Sequence, residues 1–175
     1  MMIKSPMMLV IFVVLCSPSA LAVSLARSPP HLPPRTSTII MGRKPGVMDP
    51  SDLQTFVTNA GAGLIVVDVR NPDFAVEPGD GKSNEKAPIA DCGGARARAV
   101  NVVFDRGSNS LDLSSIPQAW IEAGGGKATV PVITHCGGGG RGQKAKEFLE
   151  ANGFGNVVNG GGPEDDECWQ VFGSK

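Results

Sequence analysis

Ahead of Asp49 the chain has no carboxylate side chain at all, so its 17 acidic residues all fall in 49–175. Lys4, Arg27, Arg35, Arg43 and Lys44 stand before that point, and the formal net charge of −1 therefore conceals a leader of +5 and a body of −6. An acidic body with no basic block leaves no footprint for nucleic acid, and none is expected as a partner. Long apolar runs are missing too. The longest near the start, Met7 to Cys16, is about ten residues, against the roughly 20 that cross a bilayer as a helix. Metal ligands are scarce: the four cysteines form no Cys-x-x-Cys, and His135 is the one histidine of the body. No metal and no cofactor is expected from that set.

The short apolar run follows Lys4 and precedes Ala20-Leu21-Ala22, a small-x-small cleavage pattern. Residues 1–22 therefore read as a signal peptide, with no stable membrane insertion after cleavage; an uncleaved anchor is the alternative. Residues 23–48 carry Pro29-Pro30 and Pro33-Pro34 with serine, threonine and arginine. Those prolines oppose helix and favour extended chain. By composition the segment is a disordered linker or a transit-like extension. A signal peptide followed by such a segment resembles the two-part leader of plastid proteins in algae with complex plastids.

Residues 49–175 make one domain of ordinary size. Ser51 is placed to cap a helix over 52–60, with Leu53, Phe56 and Val57 on one face. Leu64 to Arg70 and Ala99 to Phe104 are strand signals, the first apolar enough for a sheet buried on both sides. Between them, 77–94 is rich in Gly, Pro, Lys, Asp and Glu and reads as a long exposed excursion. Ser115 is placed to cap a helix over 116–123. Val157-Val158 is a short last strand, and Pro163 suits the first turn of a final helix anchored by Trp169 and Phe172. Strands alternating with helices give an α/β fold, a small parallel sheet flanked by helices on both faces.

The rest is organised around one stretch. Val130 to Cys136 is an apolar, β-branched strand signal. Gly137, Gly138, Gly139, Gly140, Arg141 and Gly142 form a loop, and Gln143 to Glu150 an amphipathic helix stopped by Asn152-Gly153. Strand, glycine-rich loop and helix bring backbone N–H groups and a helix N-terminus to bear on an anion. A thiol at the mouth of such a cradle stands where a thiolate is stabilised, which makes Cys136 the candidate nucleophile.

Three chemistries compete for this loop. Gly137-x-Gly139-x-x-Gly142 matches a dinucleotide fingerprint, with Glu164 about 20 residues on. Only 33 residues follow Gly142, too few for the remainder of a doubly wound nucleotide domain. The phosphate-loop pattern fails, because Lys144 comes one residue late and no Ser or Thr follows it. A thiolate nucleophile uses both ends of the loop as well as its glycines, and is preferred.

Cys136 to Arg141 is a Cys-x4-Arg loop and resembles the six-residue active loop of the rhodanese family of sulfurtransferases. Val67-Asp68-Val69-Arg70 is similar to that family's Asp-x-Arg strand motif, and Ala97 to Val102 stands where the family has Gly-Ala-x-Asn-Ile. Val158-Asn159-Gly160-Gly161 with Trp169 resembles its C-terminal Gly-Gly region. The family's Gly-His-Ile-Pro stretch is replaced by the 77–94 excursion. The resemblance spans about residues 50–173 and implies a rhodanese-like fold. It further implies that the Cys136 thiolate takes the outer sulfur of thiosulfate or a similar donor as a persulfide, and that a thiol, cyanide or protein acceptor removes it. On that reading Gly137 to Gly140 and Arg141 bind the donor. Asp68 and Arg70 are read as structural support, and Cys92 or Cys168 as optional resolving thiols. His135, next to Cys136 in a strand, points to the other face and is structural before it is a base. Related phosphatases carry Cys-x5-Arg, one residue longer, so phosphatase activity ranks behind sulfur transfer. A persulfide-sensing or partner-docking module without fast turnover is the alternative of a different class.

Cleavage after Ala22 leaves Cys92, Cys136 and Cys168, an odd number, and a persulfide cycle needs Cys136 reduced between turnovers. That favours the plastid over secretion, the latter being the alternative. Residues 1–48 fused to a fluorescent reporter are expected to enter the plastid in a host with complex plastids, while 1–22 alone stops in the secretory route. Arrival of both fusions in the medium would make 23–48 a linker only.

Overall fold

The computed structural model describes residues 43–73, 75–78 and 98–173. The expected signal peptide, most of the 23–48 segment, most of the 77–94 excursion and Cys92 lie outside the described residues.

Among the described residues four strands form one all-parallel sheet: β1 (Ile65–Asp68), β2 (Ala99–Asn101), β3 (Val132–His135) and β4 (Val157–Asn159), in the order β2-β1-β3-β4. Among the described residues the α-helices are α1 (Pro50–Ala60), α2 (Gln118–Ala123), α3 (Gly140–Ala151) and α4 (Asp166–Phe172). The strands bury both faces, which is why they read as unbroken apolar runs. Ile65, Val67, Val132 and Val157 point into one core with Ile121 of α2 and Ala145 and Leu149 of α3. Val66, Ile133 and Val158 point the other way, into a core with Leu53 of α1 and Trp169 and Phe172 of α4. Helices thus cover both faces, as the alternating pattern requires.

Element ends depart from the sequence reading for identifiable reasons. Helix α1 is capped by Asp49, whose carboxylate accepts the Ser51 N–H at 2.9 Å, and Pro50 takes the first helical position. Helix α2 starts at Gln118, because Pro117 holds Ile116 extended (φ −87°, ψ 117°). Ser115 instead ends a 3-10 turn, Leu113–Ser115, capped by Asp112. The final helix begins at Asp166 with Asp165 as its cap, leaving Pro163 outside it. Strand β2 stops at Asn101, whose side chain donates to the carbonyls of Asp68 and Arg70 at 2.9 Å each.

The domain edge also moves. Residues 43–48, assigned from sequence to the leader, pack onto the domain: Val47 pairs with Asn159, and the Met48 N–H donates to the Asn159 carbonyl at 2.9 Å. Arg43 donates to Asp165 at 2.8 Å and to Glu167 at 2.8 Å, and lies 3.8 Å from Asp49. One guanidinium therefore ties the caps of α1 and α4 together. Its hydrogen bond to Asp165 raises its pKa against the opposing effect of burial. Arg43→Ala is expected to lower stability by about 1.5–3 kcal/mol, the worth of hydrogen bonds to a charged group. An unchanged urea midpoint would show that these contacts are incidental.

Candidate functional site

Cys136 is the first residue beyond β3 and lies at the start of α3, three residues before its Gly139 cap position. The helix begins earlier than the amphipathic pattern suggested: Gly140, Arg141 and Gly142 form its first turn. Arg141 therefore stands in the first turn of a helix, five residues after Cys136. Gly139 has φ +93°, and its N–H donates to Cys136 Sγ at 3.1 Å. Any side chain there would be strained by that backbone and would run into Val47.

The loop is knitted to the segment after β4. The Cys136 N–H donates to the Gly161 carbonyl at 3.0 Å, and the Glu164 N–H to the Gly137 carbonyl at 2.9 Å. Gly162 comes so close that a Cβ on it would overlap the Cys136 carbonyl oxygen. Buried Asn159 donates to the Gly139 carbonyl at 3.0 Å and accepts the Gly161 N–H at 3.1 Å. Thr134 Oγ1 donates to the Gly142 carbonyl at 2.9 Å. Neither Asn159 nor Thr134 was given a role from sequence, although Asn159 ends β4 and Thr134 is the last but one residue of β3, each polar where the run is apolar.

The thiol is only 4% exposed, yet it opens on a cleft of about 620 Å³. Gly137, Gly138, Gly140 and Arg141 line that cleft beside it, while Gly139 turns its N–H to sulfur. Lys44, Arg106 and Lys144 add three more cationic side chains, and Glu77 and Glu164 are its acids. Lys44 comes from the supposed leader, and Glu77 from the start of the excursion. Sequence spacing could not join them to the loop. Arg141 Nη1 pairs with Glu77 Oε2 at 2.5 Å.

Asp68 and Arg70 stand apart from this cleft. Both are buried, and Arg70 donates to Asp68 through Nε at 3.0 Å and Nη2 at 2.7 Å. Burial alone would raise the Asp68 carboxyl, but the charges of His135 and Arg70 and the Arg70 hydrogen bonds prevail and hold it below its ordinary value. His135 packs edge-on against Trp169 and Phe172, ring centroids 5.4 Å away in each case, in the core opposite the one Cys136 joins. It is therefore not placed as the base for Cys136. Its Nε2 is 3.9 Å from Asp68 and has no hydrogen-bond partner among the described residues. Cys168 is buried in that same core, donates to the Met48 carbonyl at 3.4 Å, and has its thiol pushed up to about 12 by burial and then by Asp165. A thiol so placed is a poor resolving nucleophile. Groups of His, Cys, Asp and Glu able to hold a metal are absent among the described residues.

Burial disfavours the imidazolium of His135 and lowers its pKa below 6.5, the nearby Asp68 notwithstanding. Between the folded value and 6.5 the unfolded chain holds a proton that the folded chain does not, so stability falls as pH drops through that window. The Asp68 contribution has the same sign and is lost only below about pH 3.8, its ordinary value. The unfolding free energy from urea titration should accordingly fall from pH 7.5 to 5.5, by up to about 1.4 kcal/mol per pH unit. His135→Phe, which keeps the ring contacts, should flatten that slope. An equally steep slope in the variant would assign the titration elsewhere.

No protein-family model matches the chain, and no curated protein matches it. Among solved structures, an uncharacterized protein from Saccharomyces cerevisiae matches at 20% identity, over 73% of this chain and 92% of that one, with a TM-score of 0.39. A likeness that remote bears on neither fold nor chemistry.

Proposed function

We propose that this protein is a sulfurtransferase of rhodanese-like type, carrying sulfane sulfur as a persulfide on Cys136. One observation carries the reading. The Cys136 thiol sits at the N-terminus of α3, accepts the Gly139 N–H, and faces a cleft lined by Lys44, Arg106, Arg141 and Lys144. A backbone donor on sulfur and a helix N-terminus are groups that stabilise negative charge moving between sulfurs during the transfer. Four cations at the mouth favour a negatively charged donor.

In the first half-reaction the Cys136 thiolate attacks the outer sulfur of thiosulfate. A new S–S bond forms to Cys136, the S–S bond of thiosulfate breaks, and sulfite leaves with that electron pair. In the second, an acceptor attacks the terminal sulfur of the persulfide. Cyanide becomes thiocyanate, or a thiolate becomes a persulfide, and the Cys136 thiolate is restored. The charge on sulfur is the same at the start and the end of each half-reaction, so the groups that stabilise it need not reorganise. Arg141 is the residue assigned to the donor's sulfonate end, being the cation nearest the thiol in sequence and standing in the first turn of the helix that follows it. Donor and acceptor are small sulfur compounds or cyanide, with a protein acceptor as a further option, and the plastid is the compartment that suits a reduced Cys136.

A persulfide-sensing or docking module is the second reading, favoured by the Glu77 carboxylate already held at Arg141. A sensor loads once and stalls, whereas a transferase turns over with thiosulfate and a thiol.

Incubation with thiosulfate is expected to add one sulfur, about 32 Da, to the intact mass, to be removed by cyanide and to be absent in Cys136→Ser. Loading that persists in Cys136→Ser would overturn the assignment of the nucleophile.

A further inference from the structure

The Glu77 carboxylate is one of two acids, with Glu164, in a cleft that also carries four cationic side chains, and it is the one paired with Arg141. Its Oε2 pairs with Arg141 Nη1 at 2.5 Å and its Oε1 with Arg106 Nε at 2.9 Å, so one carboxylate bridges two guanidiniums. The side chains of Glu77 and Arg141 are 21% and 12% exposed, buried enough for the pair to be weakly screened by salt. Glu77 is presented by an ordered turn. The N–H groups of Val76 and Glu77 both donate to the Asp73 carbonyl at 3.0 Å, the Ala75 N–H to the Asp73 carboxylate at 2.9 Å, and the Asp73 N–H to Asn71 Oδ1 at 2.9 Å. Glu77, Arg106 and Arg141 all line the cleft that Cys136 opens on.

We propose that Glu77 is a specificity-determining residue of this site, a built-in counter-anion that filters sulfur donors by their charge. The proposal rests on the sulfur-transfer reading above and adds the donor class. A donor reaching Cys136 must displace Glu77 from Arg141 or sit beside it, and the repulsion it meets grows with the product of the two charges. Thiosulfate, a dianion, meets about twice the repulsion met by an alkanethiosulfonate, a monoanion. Both transfer the same outer sulfur: the first releases sulfite, the second a sulfinate. The favoured donors are therefore those whose leaving group carries the lower charge, and free sulfur dianions are disfavoured.

The test compares thiosulfate and methanethiosulfonate as donors to the full chain and to Glu77→Gln, which keeps the shape and removes the charge. Steady-state kcat/KM is measured together with the mass of the Cys136 persulfide. Glu77→Gln should raise kcat/KM for thiosulfate on the order of tenfold, the size of one charge contact, and for methanethiosulfonate only about threefold. Glu77→Ala should shift both in the same direction. Equal changes for the two donors, or a loss with thiosulfate, while the persulfide still loads, would overturn the filter and leave sulfur transfer standing. Failure of both donors to load Cys136 in either protein would instead remove the sulfur-transfer reading and the filter with it.

Discussion

The arrangement of the site depends on the side-chain amide of Asn159. It lies at the end of β4, 1% exposed, and holds the Gly139 carbonyl with its NH2 group and the Gly161 N–H with its oxygen. Both backbone groups are buried: the Gly161 N–H finds its partner in that oxygen, and the Gly139 carbonyl accepts the amide alongside the Gln143 N–H, the first bond of α3. By satisfying both, Asn159 binds the loop after β3 to the segment after β4. The backbone exchanges from Cys136 to Gly161 and from Glu164 to Gly137 complete that union. Gly139 is thereby held in the left-handed conformation that turns its N–H onto Cys136 Sγ. The orientation of the thiol is a consequence of packing two segments about 25 residues apart in sequence.

The sheet then separates two electrostatic environments. On one side of it, His135 packs against Trp169 and Phe172, and the buried Asp68 lies 3.9 Å from it, paired with Arg70. Desolvating such a cluster is costly, and the Arg70 forks to Asp68 offset that cost while tying the end of β1. At the C-terminal ends of the strands, charges are only partly desolvated and remain available to a ligand. Lys44, Arg106, Arg141 and Lys144 face Glu77 and Glu164 across a cleft that reaches sulfur. His135, the last residue of β3, and Cys136, the first beyond it, thus serve unlike ends because the alternation of the extended chain sends them to opposite cores.

Much of this architecture was legible because the signals were local. Runs such as Ile65–Val67 and Val132–Ile133 announce doubly buried strands, and Ala145 with Leu149 announces the inner face of α3. The α/β fold with a parallel sheet followed from their alternation with helices. The errors were at element ends, where the competing signals were also local: Asp49 took the cap expected of Ser51, and Pro117 delayed α2 to Gln118. Arg43 carried no such signal. Its basic, acid-free neighbourhood resembled a leader, whereas its partners Asp165 and Glu167 stand more than 120 residues away.

For the candidate site the division is the same. A cysteine after an apolar strand and before glycines and a helix identifies Cys136 and Arg141 from sequence alone, since both lie within one continuous supersecondary unit. Which groups share the cleft with them is not a local property. Glu77, Lys44, Arg106 and Glu164 come from four separate segments, and only the packing of the parallel sheet brings their connections to one end. The nearest charge to Arg141 is set there too, because a carboxylate 64 residues away in the chain can reach it only once β1 and β3 have paired. The amino-acid order alone marked Cys136 as the candidate nucleophile and determined its loop and the strands that present it, through periodicity and glycine content. Tertiary structure decided the hydrogen bond on its sulfur and the charges around it, because both depend on contacts between residues distant in sequence.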